Sequence, residues 1–218
     1  MVVHRPFLLL LSTNRRSMSA SSKISNVTDR QKELGTRWAE SYDCWVNAPG
    51  SVNKPIYTCP QTSDTEFGTN EWPQEVRELS YPIFGMTASN PRGEEWTAHR
   101  NRQANSMLQQ ELEDLTKPSD NNTKNHSSCW WHGLGFGETW QEKGFIVSCE
   151  RTTAMDLARK YEQAAVYEFV FPDEEPVVLR KTIPVLVPNV EADVRIITCP
   201  QPPFATSRTD FDDHEGSV

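Results

Sequence analysis

The apolar positions of this chain form a core of strand and helix signals with polar segments on either side. The run Tyr81–Ala88 is rich in apolar and β-prone residues and predicts a strand. A helix is predicted from Thr97, a good N-cap residue, to about Leu115. Within it Leu108, Leu112 and Leu115 recur at spacings of four and three, which places them on one face.

From residue 129 onward the sequence predicts further strands and a second helix. Strands are expected at 129–134, 144–149, 165–171, 177–187 and 194–198. A turn at 135–143 separates the first two. Thr153 to Asp156 has the spacing of a capping box and predicts a helix that runs to Gln163. Pro184 cannot donate a ladder hydrogen bond, so its strand is placed near an edge.

The order from residue 81 to residue 171 is therefore strand, helix, strand, strand, helix, strand. Two helices on one face of a mainly antiparallel sheet bury both apolar stripes most economically. We therefore expect an α+β fold, a ferredoxin-like sandwich. An α/β sheet with more parallel character is the alternative.

Polar segments flank and interrupt the core. Residues 29–48 carry four apolar side chains at spacings of four, four and three, which predicts a further helix. These side chains are Leu34, Trp38, Tyr42 and Trp45. Residues 49–78, rich in Pro, Ser, Thr and Asn, are expected to form a long loop or an extended arm. The predicted organisation is one α+β domain over 29–199, with a polar insertion at 117–128 and an acidic, disordered tail at 200–218.

Charge is distributed unevenly. Residues 1–28 hold four Lys or Arg residues and no acid, and they are rich in serine. This composition favours an organellar transit peptide, with the mitochondrion ahead of the plastid. A merely disordered N-terminus on a cytoplasmic protein is the alternative, and a secretory signal fits less well. The remainder keeps 18 basic and 30 acidic residues, a net charge of −12.

The acidity of residues 29–218 and the absence of long apolar runs limit the classes of partner that we expect. A body with a net charge of −12 repels phosphate, so no nucleic-acid partner is expected. The longest purely apolar run is Phe7–Leu11, far below the roughly twenty residues that cross a bilayer, so no membrane partner is expected. The five cysteines are odd in number and show no paired spacing, which favours reduced thiols.

The first core helix carries asparagines in line with its buried leucines. Asn101 and Asn105 continue the stripe of Leu108 towards the helix start. Amides turned towards a core cost roughly 1–3 kcal/mol each unless they are hydrogen-bonded. One interpretation is a structural network that ties the helix to Thr87 and Asn90 at the strand end. The other is a polar ligand pocket, and we expect Asn105 to face it and Asn101 to have the structural role.

A glycine-rich segment follows, with Gly133, Gly135 and Gly137 at alternate positions. Alternate glycines on a strand clear one face for another backbone or a flat ligand, although a bulged hairpin would also use them. Their spacing is not a dinucleotide fingerprint, so no cofactor is predicted. A zinc set drawn from His126, Cys129, His132 and Cys149 would have unusual spacing, and no metal is predicted.

Four blocks of these motifs resemble the uncharacterised, mostly bacterial domain of unknown function 3293 over about residues 81–171. The matching positions, in order, are Thr87, Ala88, Asn90 and Pro91; Asn101, Asn105, Leu108 and Leu112; Gly133, Gly135, Trp140, Glu142, Phe145 and Val147; and Leu157, Ala158, Gln163 and Ala165. Arg100 stands where the family pattern has an acid, and Gly144 where it has a small polar residue. The resemblance implies no activity.

Three functional hypotheses follow. The first is a small-molecule-binding or regulatory domain, with a pocket between the end of the first strand, the first helix and the 133–142 turn. Its candidate ligand-binding residues are Thr87, Asn90, Arg92, Asn101, Asn105, Gly133, Gly135, Trp140, Glu142 and Gln163. The second is an enzyme that uses Glu142 or His132 as acid or base; no catalytic residue set is assigned. The third is a protein-interaction module with a docking patch of Trp130, Trp131 and Trp140.

Overall fold

The computed structural model describes residues 20–51, 54–62, 71–117, 128–138, 140–172 and 177–199, with side chains from Asp29 onward. Residues 1–19, where most of the predicted transit peptide falls, and the predicted tail at 200–218 lie outside this range. So does nearly all of the predicted insertion. Within the described residues, every helix is too short or too polar to cross a membrane.

The described chain forms eight strands, four α-helices and one short 3-10 turn. The strands are β1 Tyr42–Val46, β2 Ile56–Pro60, β3 Ile83–Met86, β4 Cys129–Phe136, β5 Gln141–Ser148, β6 Ala165–Val170, β7 Val178–Pro184 and β8 Ala192–Cys199. The helices are α1 Ala20–Glu40, α2 Gln74–Arg77, α3 Ala98–Thr116 and α4 Arg151–Lys160, and the 3-10 turn is Pro91–Gly93.

The strands close into one antiparallel barrel in the order β1-β2-β8-β7-β6-β3-β5-β4, with β4 paired back to β1. The expected ferredoxin-like sandwich is therefore wrong, and so is the parallel alternative. The predicted core strands are present, but their sheet has no free edge. Strand β7 joins β6 to β8, and β1 and β2 complete the circle from β8 to β4. Full closure satisfies every edge, which an open sheet cannot do.

Three local predictions are corrected by the same closure. The helix expected over 29–48 ends at Glu40, and Tyr42 begins β1, which pairs on both sides. Long-range pairing thus overrides the helical spacing. Strand β2 and helix α2 occupy part of the expected loop at 49–78. Strand β7 is not an edge strand, and Pro184 is only its last residue.

The second core helix also differs at its start. Helix α4 begins at Arg151 with Glu150 as its N-cap residue, three positions before Thr153, the N-cap residue of the expected capping box. Thr153 therefore lies inside the first turn, and the capping-box prediction is wrong. The helix ends at Lys160, where Glu162 adopts a left-handed conformation shortly before β6.

Side-chain alternation gives the barrel two apolar layers. Inside, Trp45, Trp131 and Phe169 converge from different strands with the rings of Trp45 and Trp131 5.5 Å apart. Outside, Phe84 and Val147 pack with residues of α3 and α4. Both helices therefore cover one outer face of the barrel.

The inner layer changes from apolar to polar towards α1. Arg180 on β7 is fully buried, and its Nη1 donates to Asp43 Oδ2 at 2.6 Å. The same guanidinium donates to the carbonyls of Trp38, Ala39 and Ser41 at 2.9 to 3.1 Å. A helix end leaves such carbonyls without intrahelical partners. Arg180 therefore fixes the C-terminal end of α1 across this end of the barrel.

Candidate ligand-binding cavity

A cavity of about 460 Å³ opens at the end of the barrel that α1 covers. Its walls come from α1, the connection between β3 and α3, the β4–β5 hairpin and the start of β6. Lining residues from these elements include Leu34, Trp38, Gly85, Thr87, Asn90, Glu142 and Tyr167. The cavity therefore reaches from the molecular surface into the polar end of the barrel interior.

Glu142, the second residue of β5, places a carboxylate in this cavity. Asn90 donates from its Nδ2 to Glu142 Oε2 at 2.8 Å. Within the described residues the other carboxylate oxygen, Oε1, has no hydrogen-bond partner. Burial raises the pKa of Glu142 from its ordinary 4.5 to about 7, and the hydrogen bond from Asn90 opposes part of this rise. The carboxylate is thus surrounded by protein yet reachable from the cavity.

The orientation of Asn90 is determined by Asn101. Asn90 Oδ1 accepts from Asn101 Nδ2 at 2.9 Å and from the backbone N–H of Trp96 at 3.0 Å. The Asn90 amide nitrogen can then only be the atom that faces Glu142. Its own backbone N–H donates to Asn101 Oδ1 at 3.0 Å. These bonds hold Asn90 in the left-handed conformation, φ 48° and ψ 53°, which asparagine tolerates.

Asn105 fixes the segment just before Asn90. Its Oδ1 accepts from the backbone N–H of Ala88 at 2.7 Å. Its Nδ2 donates to Ser89 Oγ at 3.0 Å and to the carbonyl of Lys143 at 3.1 Å. These bonds tie α3 to both the β3 end and β5. Asn105 therefore has a structural role, although we expected it to face a ligand pocket and expected the structural role of Asn101. Neither side chain lines the cavity.

The alternate glycines of β4 and of the turn that follows it leave room for side chains of the adjacent strand and turn. A Cβ on Gly133 would lie 3.0 Å from Ile146, and one on Gly135 would lie 3.8 Å from the ring of Trp140. A Cβ on Gly137 would collide with the indole nitrogen of Trp140. The strand face that the glycines were expected to leave free is therefore covered by Ile146 and Trp140, both of which line the cavity.

Gly144 on β5 is required for a backbone approach. A Cβ there would lie 2.5 Å from the carbonyl oxygen of Met86, where β3 ends. This close approach brings Thr87 against β5, and Thr87 Oγ1 donates to the carbonyl of Lys143 at 2.8 Å. The absence of a side chain here therefore sets the distance between two walls of the cavity.

Residues 86–166 match a family model described as Protein of unknown function (DUF3293). The matched segment runs from the last residue of β3 to the second residue of β6. It includes the asparagine network, the β4–β5 hairpin and Glu142, whereas α1 lies outside it. No curated protein and no solved structure matches the chain.

Seven of the predicted site residues line the cavity, and all seven fall in the DUF3293 segment. They are Thr87, Asn90, Gly133, Gly135, Trp140, Glu142 and Gln163. Asn101 and Asn105 do not line the cavity, but their hydrogen bonds hold the β3–α3 connection that forms part of its wall. Arg92 is placed elsewhere: its guanidinium pairs with Glu162 on the surface, where both side chains are about half exposed.

The alternative acid–base residue His132 is absent from the cavity lining. It alternates with Gly133 on β4 and so points to the outer face of the barrel. There its ring lies 5.3 Å from Trp130 and 5.8 Å from Phe145. Only Glu142 of the two acid–base candidates therefore reaches the cavity.

The expected tryptophan docking patch is not formed. Trp131 is 3% exposed inside the barrel, Trp130 packs beside the cluster under α3 and α4, and Trp140 covers the glycines. Among the described residues there is also no group of three or more metal-ligating side chains, and His126 lies outside them.

Sequence reasoning missed the residues that reach the cavity from outside the DUF3293 segment or from the barrel interior. These are Leu34, Arg37, Trp38, Asp43, Tyr167 and Thr182, among others. The spacing of Leu34 and Trp38 had marked one face of a helix, but nothing local indicated what that face would cover. Trp38 and Tyr167 meet only through barrel closure, where the Tyr167 hydroxyl donates to the Trp38 carbonyl at 3.2 Å.

Proposed function

We propose that this protein is a small-molecule-binding domain whose ligand occupies the cavity at the α1 end of the barrel. The observation that carries the proposal is Glu142, a carboxylate held by Asn90 with one oxygen free, inside a cavity of about 460 Å³. Protein interiors are normally filled to crystal-like density, and an unfilled space with an oriented polar group is typical of a ligand site.

Two features of the surrounding structure support this proposal. The size falls in the range of roughly 300–1,000 Å³ that is usual for ligand pockets. The walls are also held by hydrogen bonds within the protein, because Asn101 and Asn105 hold the β3–α3 connection and Arg180 holds α1. Preformed walls reduce the ordering cost of binding.

The test is a thermal-shift screen of a metabolite library on the wild-type protein and two variants. A ligand that binds the folded state raises the melting temperature by mass action. Gly135→Val adds a side chain at the cavity wall, where a Cβ meets only ordinary contacts. Glu138→Gln, on the exposed part of the same hairpin, is the matched control.

We expect hits that stabilise the wild type and Glu138→Gln equally and lose most of their effect on Gly135→Val. The proposal would be refuted if every hit stabilised Gly135→Val as strongly as the wild type, or if a broad library yielded no hit. A folded Gly135→Val, checked by its unfolding transition without ligand, makes the comparison valid.

A second candidate function is acid–base catalysis by Glu142. A carboxyl group whose pKa lies near 7 exchanges a proton readily at neutral pH, which is the property that a general acid or base needs. Hits from the screen would be incubated with the protein and analysed by mass spectrometry for conversion. Conversion that disappears in Glu142→Gln while binding persists would favour an enzyme, and unchanged compounds would favour binding alone.

A further inference from the structure

The formal charges around the cavity are not balanced. Arg37 on α1 pairs with Glu33 of the same helix at 2.7 Å, and Asp43 on β1 pairs with Arg180 at 2.6 Å. Glu142 and the exposed Glu95 line the same space, and neither has an ion-pair partner among the described residues. The charge left uncompensated at the cavity is therefore negative.

The apolar lining of the cavity includes aromatic side chains from three different elements. Trp38 comes from α1, Trp140 from the β4–β5 turn and Tyr167 from β6. Aromatic faces attract cations through their negative quadrupole, and they also pack well on flat apolar groups. A ligand suited to these walls would carry a flat body and a positive charge.

From this arrangement we propose that the ligand is a small organic amine, whose ammonium group donates to Glu142 Oε1 while its apolar body lies between the aromatic walls. This inference rests on the proposed ligand site and names its chemical class. An ammonium donor would complete the hydrogen bonding of a carboxylate of which one oxygen already accepts from Asn90. A charge-assisted bond of this kind is stronger than a neutral one.

Binding of an amine would release a proton at mildly acidic pH. Glu142 with its pKa of about 7 is mostly protonated at pH 6, and the ammonium group favours the ionised form. The charged and titratable groups that face it are Arg37 from α1, Asp43 from β1, Glu95 from the β3–α3 connection and Tyr167 from β6. Linkage then predicts release of most of one proton per ligand at pH 6 and of little at pH 8.

The experiment is isothermal titration calorimetry with three probes of the same shape and different charge. They are 2-phenylethylamine, the neutral 2-phenylethanol and the anionic 3-phenylpropionate. Each is titrated at pH 6 and pH 8 in two buffers of different ionisation enthalpy, which reports the protons released. The proteins are wild type, Glu142→Gln, Gly135→Val and the control Glu138→Gln.

We expect the amine to bind wild type and Glu138→Gln at least tenfold more tightly than the alcohol or the acid, with proton release at pH 6. Glu142→Gln should lose at least tenfold in amine affinity and show no proton release. The inference is overturned if the alcohol or acid binds as tightly as the amine, or if Glu142→Gln keeps full amine affinity.

The two proposals fail in different ways. Binding of the alcohol, the acid or any library compound without an amine, abolished by Gly135→Val, would leave the ligand site in place and refute its amine specificity. If no compound of the library or the probe series binds in a manner that Gly135→Val disrupts, both proposals fail.

Discussion

Replacing the cavity carboxylate should change how the stability of the protein depends on pH. Folding moves Glu142 from water into the cavity wall, where burial raises its pKa from 4.5 to about 7. Between these values the folded state binds more protons than the unfolded state. The free energy of unfolding therefore falls as the pH rises through this window. Well below pH 4.5 the carboxyl is protonated in both states, and its contribution is constant.

The size of this effect follows from the two pKa values of Glu142. Each tenfold change in the proton-dissociation constant corresponds to about 1.4 kcal/mol, so ionised Glu142 costs the folded state about 3 kcal/mol above pH 7. Glu142→Gln keeps an acceptor for Asn90 and carries no charge. We expect it to equal the wild type within about 1 kcal/mol at pH 4.5 and to be more stable by on the order of 3 kcal/mol at pH 8.

Urea denaturation at pH 4.5, 6, 7 and 8 measures this difference directly. Glu138→Gln removes an exposed carboxylate from the same hairpin and controls for the loss of one negative charge. The reasoning fails if the difference between Glu142→Gln and wild type is the same at all four pH values, or if the wild type becomes the more stable protein at pH 8.

Further substitutions test the supporting structure by the same denaturation assay. Asn105→Leu should lose roughly 1–3 kcal/mol because it leaves the backbone N–H of the buried Ala88 without an acceptor, whereas Gln103→Leu on the exposed face of α3 should change little; equal effects would contradict the network. Arg180→Met should lower the free energy of unfolding by about 3–5 kcal/mol, because the carboxylate of Asp43 stays buried without a counterion; a loss below 1 kcal/mol would refute the stabilising role of Arg180. Gly144→Ala should be clearly destabilising, since its Cβ would lie 2.5 Å from a backbone carbonyl, while Gly135→Ala meets only ordinary contacts and should be tolerated; the opposite order would refute the packing argument.

The local elements of the core were determined by the sequence alone. Apolar runs and helical spacing predicted β3, α3, β4, β5, α4 and β6 in their correct order, with boundaries off by a few residues. Thr97 was predicted as the N-cap of α3, and its side chain accepts from the backbone N–H of Arg100. Such signals are local because they depend on residues within one turn or one strand of each other.

The candidate site was predicted in part for a similar reason. Asn90, Glu142 and the glycines lie within short motifs whose residue types are unusual for a plain core, and these motifs carry the family resemblance. The pattern did not reveal which amides face the cavity. Asn101 and Asn105 share one helical stripe, and only the positions of the β3 end and of β5 show that both bond to backbone or to Asn90 rather than to an open pocket.

Barrel closure was decided by tertiary structure. The segment 42–46 has helical spacing from Trp38 to Trp45, yet it pairs with β2 and β4, whose sequence positions are up to about ninety residues away. A strand flanked on both sides gains hydrogen bonds and burial that outweigh a weak local preference. No single-sequence pattern reports which distant strands will meet. The same holds for the wall of the cavity that α1 contributes. Trp38 lines the cavity and the buried Arg180 donates to its carbonyl, and these contacts exist only in the closed fold.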